Sequence, residues 1–296
     1  MSDKTSALIT RRQAIVSLAS LAAGAMLTPG TVLDSRSDDS KTRFAVIGDF
    51  GTGESDELAV ASQMLNSYRN TPYDFVLACG DNIYPNGNAK FFARHFEQPF
   101  EGLLKERVKF YAVLGNHDVE EGRKDQLNYP LFNMGGSNYY TVRRNNGQVE
   151  FFMLDSTAFD AGQVTWLENA LTESKALWKI AVLHHPLYSS GKKHGSDSRL
   201  RAVLEPMLVR HRVQVVFAGH DHVYERTRPQ NGIQYFITGA GGKMRRGDID
   251  MRSPFRAASY DTDNSYMLIE IDEGEMNFKS ISEKGDIVDS GVIKQV

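Results

Sequence analysis

Five stretches of the chain with strand-like sequence are each followed at once by glycine, aspartate, asparagine or histidine. Stretches with apolar residues at helical spacing lie between them. Such alternation predicts βαβ units and a largely parallel sheet, in which ligands bind at the carboxyl ends of the strands. Polar groups from five strands would therefore meet at one edge. These groups are Gly48-Asp49, Gly80-Asp81-Asn82, Gly115-Asn116-His117-Asp118, His184-His185-Pro186 and Gly219-His220-Asp221-His222.

The apolar pattern also predicts where the elements begin and end. Strands are predicted over 43–47, 74–78, 108–113, 150–154, 179–183 and 213–217. Helices are predicted over 56–68, 89–104, 163–171 and 199–209. After Ile233 the helical spacing stops, and antiparallel strands are predicted over 234–238, 266–271, 275–280 and 287–293, with a turn at Asp272-Glu273-Gly274.

Composition excludes several classes of protein. Hydrophobic residues make up 41% of the 296 residues, which is typical of a globular chain rather than a disordered one. Thirty-four Lys and Arg against 37 Asp and Glu give a net charge of −3, so no broad basic surface for a nucleic-acid partner is expected. The single cysteine excludes an intrachain disulfide and a cysteine metal cage.

The first 25 residues have the pattern of an export signal. Thr10-Arg11-Arg12-Gln13 precedes an apolar run that is too short for a stable membrane span, which needs about 20 residues. The paired arginines favour the twin-arginine export machinery as a partner; a general secretory signal is the alternative. The mature protein is then expected to be periplasmic or extracellular, or tethered to a membrane if the signal is not cleaved. We expect a signal over 1–25, a flexible linker over 26–40 and one catalytic domain over 41–296.

The polar groups at the strand ends are suited to metal chemistry at phosphorus. Carboxylate, amide and imidazole ligands favour hard or borderline cations, and seven such groups exceed the needs of one ion. Two ions about 3.5–4 Å apart can hold a phosphoryl group, lower the pKa of a bound water and supply a hydroxide that attacks phosphorus. A nearby imidazole can then protonate the leaving alcohol.

In family order, the strand-end motifs resemble the calcineurin-like metallophosphoesterases, and Tyr84, three residues after Asp81, resembles the purple acid phosphatase subgroup. The short form similar to tartrate-resistant acid phosphatase fits best. The resemblance implies an α/β fold, a four-layer α/β/β/α sandwich with a mostly parallel first sheet and an antiparallel C-terminal portion. It also implies an acid phosphatase that acts on phosphorylated small molecules or peptides.

The same resemblance implies a role for each polar residue. Asp81 would bridge two ions, and Tyr84 as a phenolate would bind Fe(III) and give the protein a purple colour. The second ion would be divalent Fe, Zn or Mn. The implied ligands are Asp49, Asp81, Tyr84 and His222 for the first ion, and Asp81, Asn116, His184 and His220 for the second.

Two further histidines are implied in catalysis. His117 and His194 would contact the phosphate together with Asn116, and both would assist the leaving group. Asp118 is expected to orient His117. His185 is expected to point away from the ligand His184, because neighbouring residues of a strand face opposite sides.

Alternatives remain open on the sequence alone. A phosphodiesterase acting on nucleotides or phospholipid headgroups could use the same two ions. A redox protein whose iron pair generates oxygen radicals is a third reading, although it has no need for His117 and His194. Arg245-Arg246, after the Gly-rich stretch that ends at Gly242, either faces the cleft or is a solvated pair.

Overall fold

A computed structural model describes residues 31–33 and 41–295 of the chain. The export signal expected over 1–25 lies outside these residues, so it stays a prediction, as does the division into signal, linker and catalytic domain. Residues Thr31–Leu33, inside the expected linker, form a short strand. Among the described residues, no helix combines the length and apolar character that crossing a membrane requires.

Two mixed β-sheets form the centre of the molecule. In spatial order, the six-stranded sheet consists of β14 (Ile287–Lys294), β13 (Glu275–Ser282), β12 (Ser265–Asp272), β2 (Lys41–Ile47), β3 (Phe75–Ala78) and β4 (Lys109–Ala112). The eight-stranded sheet consists of β1 (Thr31–Leu33), β5 (Tyr140–Arg144), β6 (Val149–Met153), β7 (Trp178–Val182), β8 (Val215–Ala218), β10 (Gln234–Thr238), β9 (Tyr224–Thr227) and β11 (Arg256–Tyr260).

Parallel pairing occupies the centre of each sheet. Strands β2, β3 and β4 are parallel to one another, and so are β6, β7, β8 and β10. Strands β12, β13 and β14 continue the six-stranded sheet in antiparallel order, as the sequence predicts. Strand β10 departs from the expected antiparallel pairing, since it is parallel to β8 and antiparallel only to β9.

The sheets pack face to face through aromatic side chains. The ring centroids of Phe44 and Phe151 lie 5.1 Å apart, and those of Phe75 and Phe151 lie 5.5 Å apart. All three rings are fully buried, so they contribute a large part of the apolar area removed from water. The strands β3 and β8 are buried along their whole length, which is typical of parallel strands covered on both faces.

Helices cover the outer faces of both sheets. The longest helix, α1 (Ser55–Asn70), buries Val60 and Met64 beside the six-stranded sheet. The remaining helices are α2 (Glu101–Lys105), α3 (Asp118–Glu121), α4 (Arg123–Leu127), α5 (Ala161–Glu173) and α6 (Ser198–Arg210). Leucines of α5 and α6 form a second apolar cluster with the outer face of the eight-stranded sheet. The four-layer α/β/β/α sandwich expected from the sequence is confirmed.

The helix predicted over 89–104 is wrong as a single element. A 3-10 turn covers Ala89–Phe91, a π-turn covers Ala93–Glu97, and only Glu101–Lys105 is α-helical. Pro99 lies between the last two pieces, and a proline has no N–H to donate to the preceding turn.

The strands that carry the polar groups end at one edge of the molecule, but they belong to different sheets. β2, β3 and β4 lie in the six-stranded sheet, whereas β7 and β8 lie in the eight-stranded sheet. The site is therefore built between the two sheets at their carboxyl edges.

Candidate metal centre

Three of the loops that carry polar residues contain, within three residues of the strand end, a non-glycine residue in left-handed backbone conformation. The φ angles are 56° at Asp49, 51° at Asp81 and 72° at His220. This region is disfavoured for residues with a Cβ, and each instance costs roughly 1–3 kcal/mol. All three follow a strand within a few residues. Because the backbone turns at these residues, their side chains no longer alternate between the two faces of the sheet and instead enter the space at its edge.

Glycines beside these residues allow the loops to approach closely. A Cβ at Gly115 would lie 2.2 Å from Oδ1 of Asp81, and a Cβ at Gly219 would lie 2.4 Å from Oδ2 of Asp49. No larger residue fits at either position without displacing a carboxylate. The close approach of the loops thus explains why glycine occupies these two positions.

Tyr84 lies at the centre of the first group of polar side chains. Its hydroxyl oxygen is 3.2 Å from Oδ1 of Asp49 and 3.0 Å from Oδ2 of Asp81. The same oxygen is 3.3 Å from Nε2 of His222. One hydroxyl has one proton to donate, so it cannot donate to both carboxylates at once. We call Asp49, Tyr84 and His222, with the shared Asp81, the tyrosine half-site.

A second group lies beside the first and contains no anionic side chain of its own. Nδ1 of His184 donates to the carbonyl of Cys79 at 2.9 Å, which leaves a lone pair on its Nε2. That nitrogen lies 3.1 Å from Oδ1 of Asn116 and 3.2 Å from Nδ1 of His220. Since the Asn116 oxygen carries no proton, it cannot donate to His184. We call Asn116, His184 and His220, with the shared Asp81, the histidine half-site.

Asp81 lies between the two half-sites. Its Oδ2 faces Tyr84, and its Oδ1 lies 3.6 Å from Nε2 of His184. The backbone N–H of His117 donates to the same Oδ1 at 2.9 Å, which fixes the orientation of the carboxylate. One oxygen atom thus faces each half-site.

Burial disfavours the charged forms of these side chains. It raises the pKa of Asp49 well above its usual range, and the negative charge of Asp81 adds to the effect. Burial also lowers the pKa of His184 well below its usual value, and the positive charge of His185 when protonated lowers it further. Burial and the charge of Arg245 lower the pKa of His222 to about 4. The imidazoles are therefore neutral, which is the form that binds metal.

The donor set fits two metal ions. In each half-site, acceptor atoms lie 3–4 Å apart, and there are too few protons for a hydrogen bond between every pair of them. A cation bound between these atoms would remove the repulsion between their lone pairs. Carboxylates and a phenol suit a hard ion in the tyrosine half-site, whereas imidazoles and an amide suit a borderline divalent ion in the histidine half-site. The structure brings together all seven residues expected as ligands: Asp49, Asp81, Tyr84, Asn116, His184, His220 and His222.

The two histidines expected in catalysis lie on opposite sides of this cluster. Nδ1 of His117 donates to the carbonyl of Pro85 at 2.6 Å, so its Nε2 is the free nitrogen. The ring of His117 lies 4.7 Å from that of Tyr84 between centroids. The exposed His194 lies over the histidine half-site, with its ring 4.2 Å from that of His220.

The expectation that Asp118 orients the His117 ring is wrong. Asp118 is fully buried and its carboxylate is bonded to groups other than that ring, whose Nδ1 is instead bonded to the carbonyl of Pro85. Its carboxylate accepts from the N–H groups of Asn82, Ile83 and Gly115. Asp118 therefore joins the loop after β3 to the loop after β4, and these two loops carry ligands of both half-sites.

The expectation that His185 points away from the site is also wrong. Its ring lies 4.5 Å from that of His220, and its Nδ1 lies 2.9 Å from the hydroxyl of Ser156. The alternation rule fails here because β7 ends at Val182, so His184 and His185 belong to a loop. His185 could join His184 and His220 around an ion.

Two buried glutamates that support the site were missed from the sequence. Oε2 of Glu57 accepts from the N–H groups of Thr52 and Gly53, in the loop after Asp49. Glu225 accepts from the backbone and the hydroxyl of Ser190, in the segment that leads to His194. A glutamate in the first turn of a helix is a recognisable signal for Glu57. No pattern in the sequence indicates Glu225.

Comparison with known proteins agrees with this geometry. Residues 42–224 match the family model of the calcineurin-like phosphoesterases. Purple acid phosphatase 17 of Arabidopsis thaliana is 33% identical, over 72% of this chain and 72% of the relative. Tartrate-resistant acid phosphatase type 5 of Rattus norvegicus is 27% identical, over 83% and 88%.

The fold is also found among solved structures. A purple acid phosphatase from yellow lupin superposes with a TM-score of 0.73 at 19% identity, over 86% of this chain and 54% of that one. With the family match covering more than half of the chain, and a relative above 30% identity covered over most of its length, this chain belongs to the calcineurin-like phosphoesterase family and, within it, to the purple acid phosphatases.

Proposed function

We propose that this protein is an exported acid phosphatase that hydrolyses phosphomonoesters at a binuclear metal centre. Ferric iron is assigned to the tyrosine half-site, and divalent iron, zinc or manganese to the histidine half-site. The observation that carries the proposal is the Tyr84 hydroxyl, which lies within 3.3 Å of two buried carboxylates and one imidazole. A phenol in such surroundings is a donor for a trivalent ion, and relatives that are purple acid phosphatases support the reaction class.

The two ions, when bound, would supply a nucleophile from water and neutralise charge on the phosphoryl group. The protein's own side chains bind and orient the ester. The amide of Asn116 lies beside the cluster and can donate to a phosphoryl oxygen. Nε2 of His117 can donate to another when the ring is protonated, because the single proton of the neutral ring lies on Nδ1. The bond from His117 to Pro85 holds the ring in one orientation, so this contact costs little reorganisation.

His194 is assigned the proton for the leaving alcohol. Its ring lies over His220 on the outer side of the cluster, where the leaving oxygen would face solvent. A protonated imidazole at this place gives its proton as the phosphorus–oxygen bond breaks. Asp221 holds the loop in position, since its Oδ2 accepts from the N–H of Gly195 at 3.2 Å.

The proposal is tested by hydrolysis of p-nitrophenyl phosphate between pH 4 and 8, together with metal analysis and a visible spectrum. We expect acidic activity, about two metal ions per chain including iron, and a band in the purple region. A metal-loaded protein that releases no phosphate would contradict the proposal. Faster hydrolysis of bis-p-nitrophenyl phosphate than of the monoester would favour a phosphodiesterase instead.

Export by the twin-arginine route is tested separately. The full chain is expressed in a bacterium that has this pathway, and activity is measured in the periplasmic and cytoplasmic fractions. We expect the double change of Arg11 and Arg12 to lysine to leave the protein in the cytoplasm, because the route depends on the arginine pair. Unchanged export in that variant would favour a general secretory signal.

A further inference from the structure

A sixth strand also ends at the metal centre, and Ser156 lies in the loop that follows it. Strand β6 runs parallel to β7, so the carboxyl ends of both strands lie at the same edge of the sheet. The backbone N–H of His184 donates to Oγ of Ser156 at 3.3 Å, and that of His185 donates to the same oxygen at 3.0 Å. This hydroxyl therefore joins the end of β6 to the loop that carries a ligand of the histidine half-site.

The loop after β6 holds Ser156 in a fixed position. The buried side chain of Gln163 bonds both the N–H and the carbonyl of Asp155, each at 2.9 Å. The carboxylate of Asp155 accepts from the N–H and the hydroxyl of Thr157. It also accepts from the guanidinium of Arg123. Because both neighbours of Ser156 are anchored in this way, its hydroxyl is in place before a ligand arrives.

The hydroxyl of Ser156 can bond the ring of His185 in only one direction. Its oxygen has two lone pairs, and the two backbone N–H groups occupy both of them. Nδ1 of His185 lies 2.9 Å from this oxygen, so the hydroxyl must donate its proton to Nδ1. A nitrogen that accepts carries no hydrogen, and the ring hydrogen of His185 is therefore on Nε2.

The two adjacent histidines consequently have opposite tautomers. Nδ1 of His184 meets a carbonyl, which can only accept, so its Nε2 has the lone pair that a metal needs. Nδ1 of His185 meets a hydroxyl whose lone pairs are filled, so its Nε2 carries a hydrogen. Proximity alone would let His185 bind an ion together with His184 and His220. The hydrogen-bond count instead makes His185 a donor.

The donor of His185 is free to meet a ligand at the histidine half-site. The ring lies 4.5 Å from that of His220 and 5.0 Å from that of His184, measured between centroids. His185 is half-buried, and of its two ring nitrogens only Nδ1 has a hydrogen-bond partner among residues 41–295. A free N–H beside a cation site is suited to an oxygen of an anion that the cation holds.

Resting on the proposed phosphatase activity, we propose that His185 is a further substrate-binding residue, whose Nε2–H donates to a phosphoryl oxygen at the histidine half-site. Ser156 is its positioning residue, because the hydroxyl keeps the ring hydrogen on Nε2. Inorganic phosphate presents the same oxygens as a phosphomonoester, so it should make the same contact. Binding of phosphate can therefore be measured apart from catalysis.

The contact is tested by the affinity of the metal-loaded protein for inorganic phosphate, measured by calorimetry. In His185→Leu, Kd for phosphate should rise by about 10-fold or more, the range of a lost hydrogen bond to a charged group. KM for p-nitrophenyl phosphate should rise in parallel while kcat changes by less than about 3-fold, because substrate and transition state share the contact. His185→Gln keeps an N–H donor and should recover part of the affinity. His211→Leu, just after α6, is the matched control and should equal the parent.

The hydroxyl of Ser156 is tested by two substitutions and by NMR. Ser156→Ala should raise Kd for phosphate by about 3- to 10-fold, because the ring hydrogen is then free to move to Nδ1. Ser156→Thr keeps the hydroxyl and should bind phosphate like the parent. Proton–nitrogen correlation spectra of the protein loaded with zinc, which is diamagnetic, should place the ring hydrogen of His185 on Nε2 and that of His184 on Nδ1.

Three results would overturn the inference. A loss of about one metal ion per chain in His185→Leu would show that His185 is a ligand instead. Unchanged phosphate affinity in that variant would exclude the contact, and a hydrogen on Nδ1 of His185 in the parent would exclude the role of Ser156.

Failure of the proposed function would look different. The metal-loaded parent would then release no phosphate from p-nitrophenyl phosphate, while the phosphate affinity and the tautomer would still decide about His185. Circular dichroism of each variant shows whether the fold is intact. If His185→Leu does not fold, His185→Gln and the spectra of the parent decide the question.

Discussion

The two half-sites share Asp81 but differ in charge. The tyrosine half-site adds a carboxylate and a phenol to one imidazole, whereas the histidine half-site adds two imidazoles and an amide. Each draws ligands from both sheets, so the difference comes from residue type and not from architecture. Anionic donors buried beside one another need a highly charged ion, and neutral donors need less. One scaffold therefore places two unlike sets of donor atoms side by side.

The shared residue gives the largest expected effect. Asp81→Asn removes the charge that faces both half-sites, so p-nitrophenyl phosphate hydrolysis should fall by about 10³-fold or more and the metal content below one ion per chain. Activity and metal content are measured on the same sample. The exposed Asp125→Asn is the control and should match the parent. Full activity in Asp81→Asn would end the idea of a bridging carboxylate.

Removing one ligand from each half-site in turn distinguishes the contributions of the two half-sites to colour and activity. Tyr84→Phe should abolish the visible band and lower activity by about 10²-fold, while the histidine half-site keeps its ion. His184→Ala should lose the ion of the histidine half-site, with a similar fall in activity, and keep the band. Spectra and metal analysis of both variants are compared. If the band survives in Tyr84→Phe, the assignment of the trivalent ion is wrong.

Removal of the metals should lower stability. The buried carboxylates Asp49 and Asp81 repel each other once the ions are gone, so the free energy of unfolding should fall by about 3–4 kcal/mol relative to the protein in a 100- to 1,000-fold excess of metal over Kd, and the melting temperature Tm should fall with it. Tm is measured by calorimetry before and after chelation, and again after metal is restored. The same treatment should hardly change Tm in Asp81→Asn, which binds little metal at the start.

The smallest effects concern the two supporting glutamates, one behind each half-site. Burial raises the pKa of Glu57 well above 4.5, and burial also raises the pKa of Glu225. A raised folded-state pKa means that the stabilising contribution is present below pH 4.5 and is lost as the pH rises through the raised value. Glu57→Gln and Glu225→Gln cannot ionise, so their free energy of unfolding relative to the parent should increase from pH 4 to pH 8, by about 1–2 kcal/mol and more for Glu57. The increase is followed as a rise of Tm relative to the parent.

Glu106→Gln, at an exposed glutamate, is the matched control for the substitution itself. A Tm difference between Glu57→Gln and the parent that does not change with pH would show that folding does not raise the pKa of Glu57.

Much of the fold follows from local patterns. The strands β2 and β3 were predicted within two residues of their observed bounds, because short apolar runs followed closely by glycine and aspartate have few alternatives. The strands β9 and β11 were missed, since their sequences are short and carry polar or small residues with no period of two. The helix over 89–104 failed at Pro99, where the chain turns although the apolar spacing continues.

In the candidate site too, some features follow from local sequence and others do not. That polar groups gather at one edge could be predicted because each group follows a strand directly, and the choice of the seven ligands among them was implied by the resemblance to the purple acid phosphatases. The contacts of Asp118, His185 and Arg245 could not, since each depends on loops that are distant in sequence and meet only in the folded chain.

By itself, the sequence determined the chemistry of this protein: which donor atoms are available, in what order the strands deliver them, and that neither a cysteine cage nor a disulfide can form. Only the tertiary structure decided that the edge is shared by two sheets and that the two oxygens of Asp81 face different half-sites. It also left one buried nitrogen of the Arg245 guanidinium without a hydrogen-bond partner among the described residues. The physical reason is that ligand identity is a property of single residues, whereas shared faces and unpaired charges arise from packing between segments that are far apart in the chain.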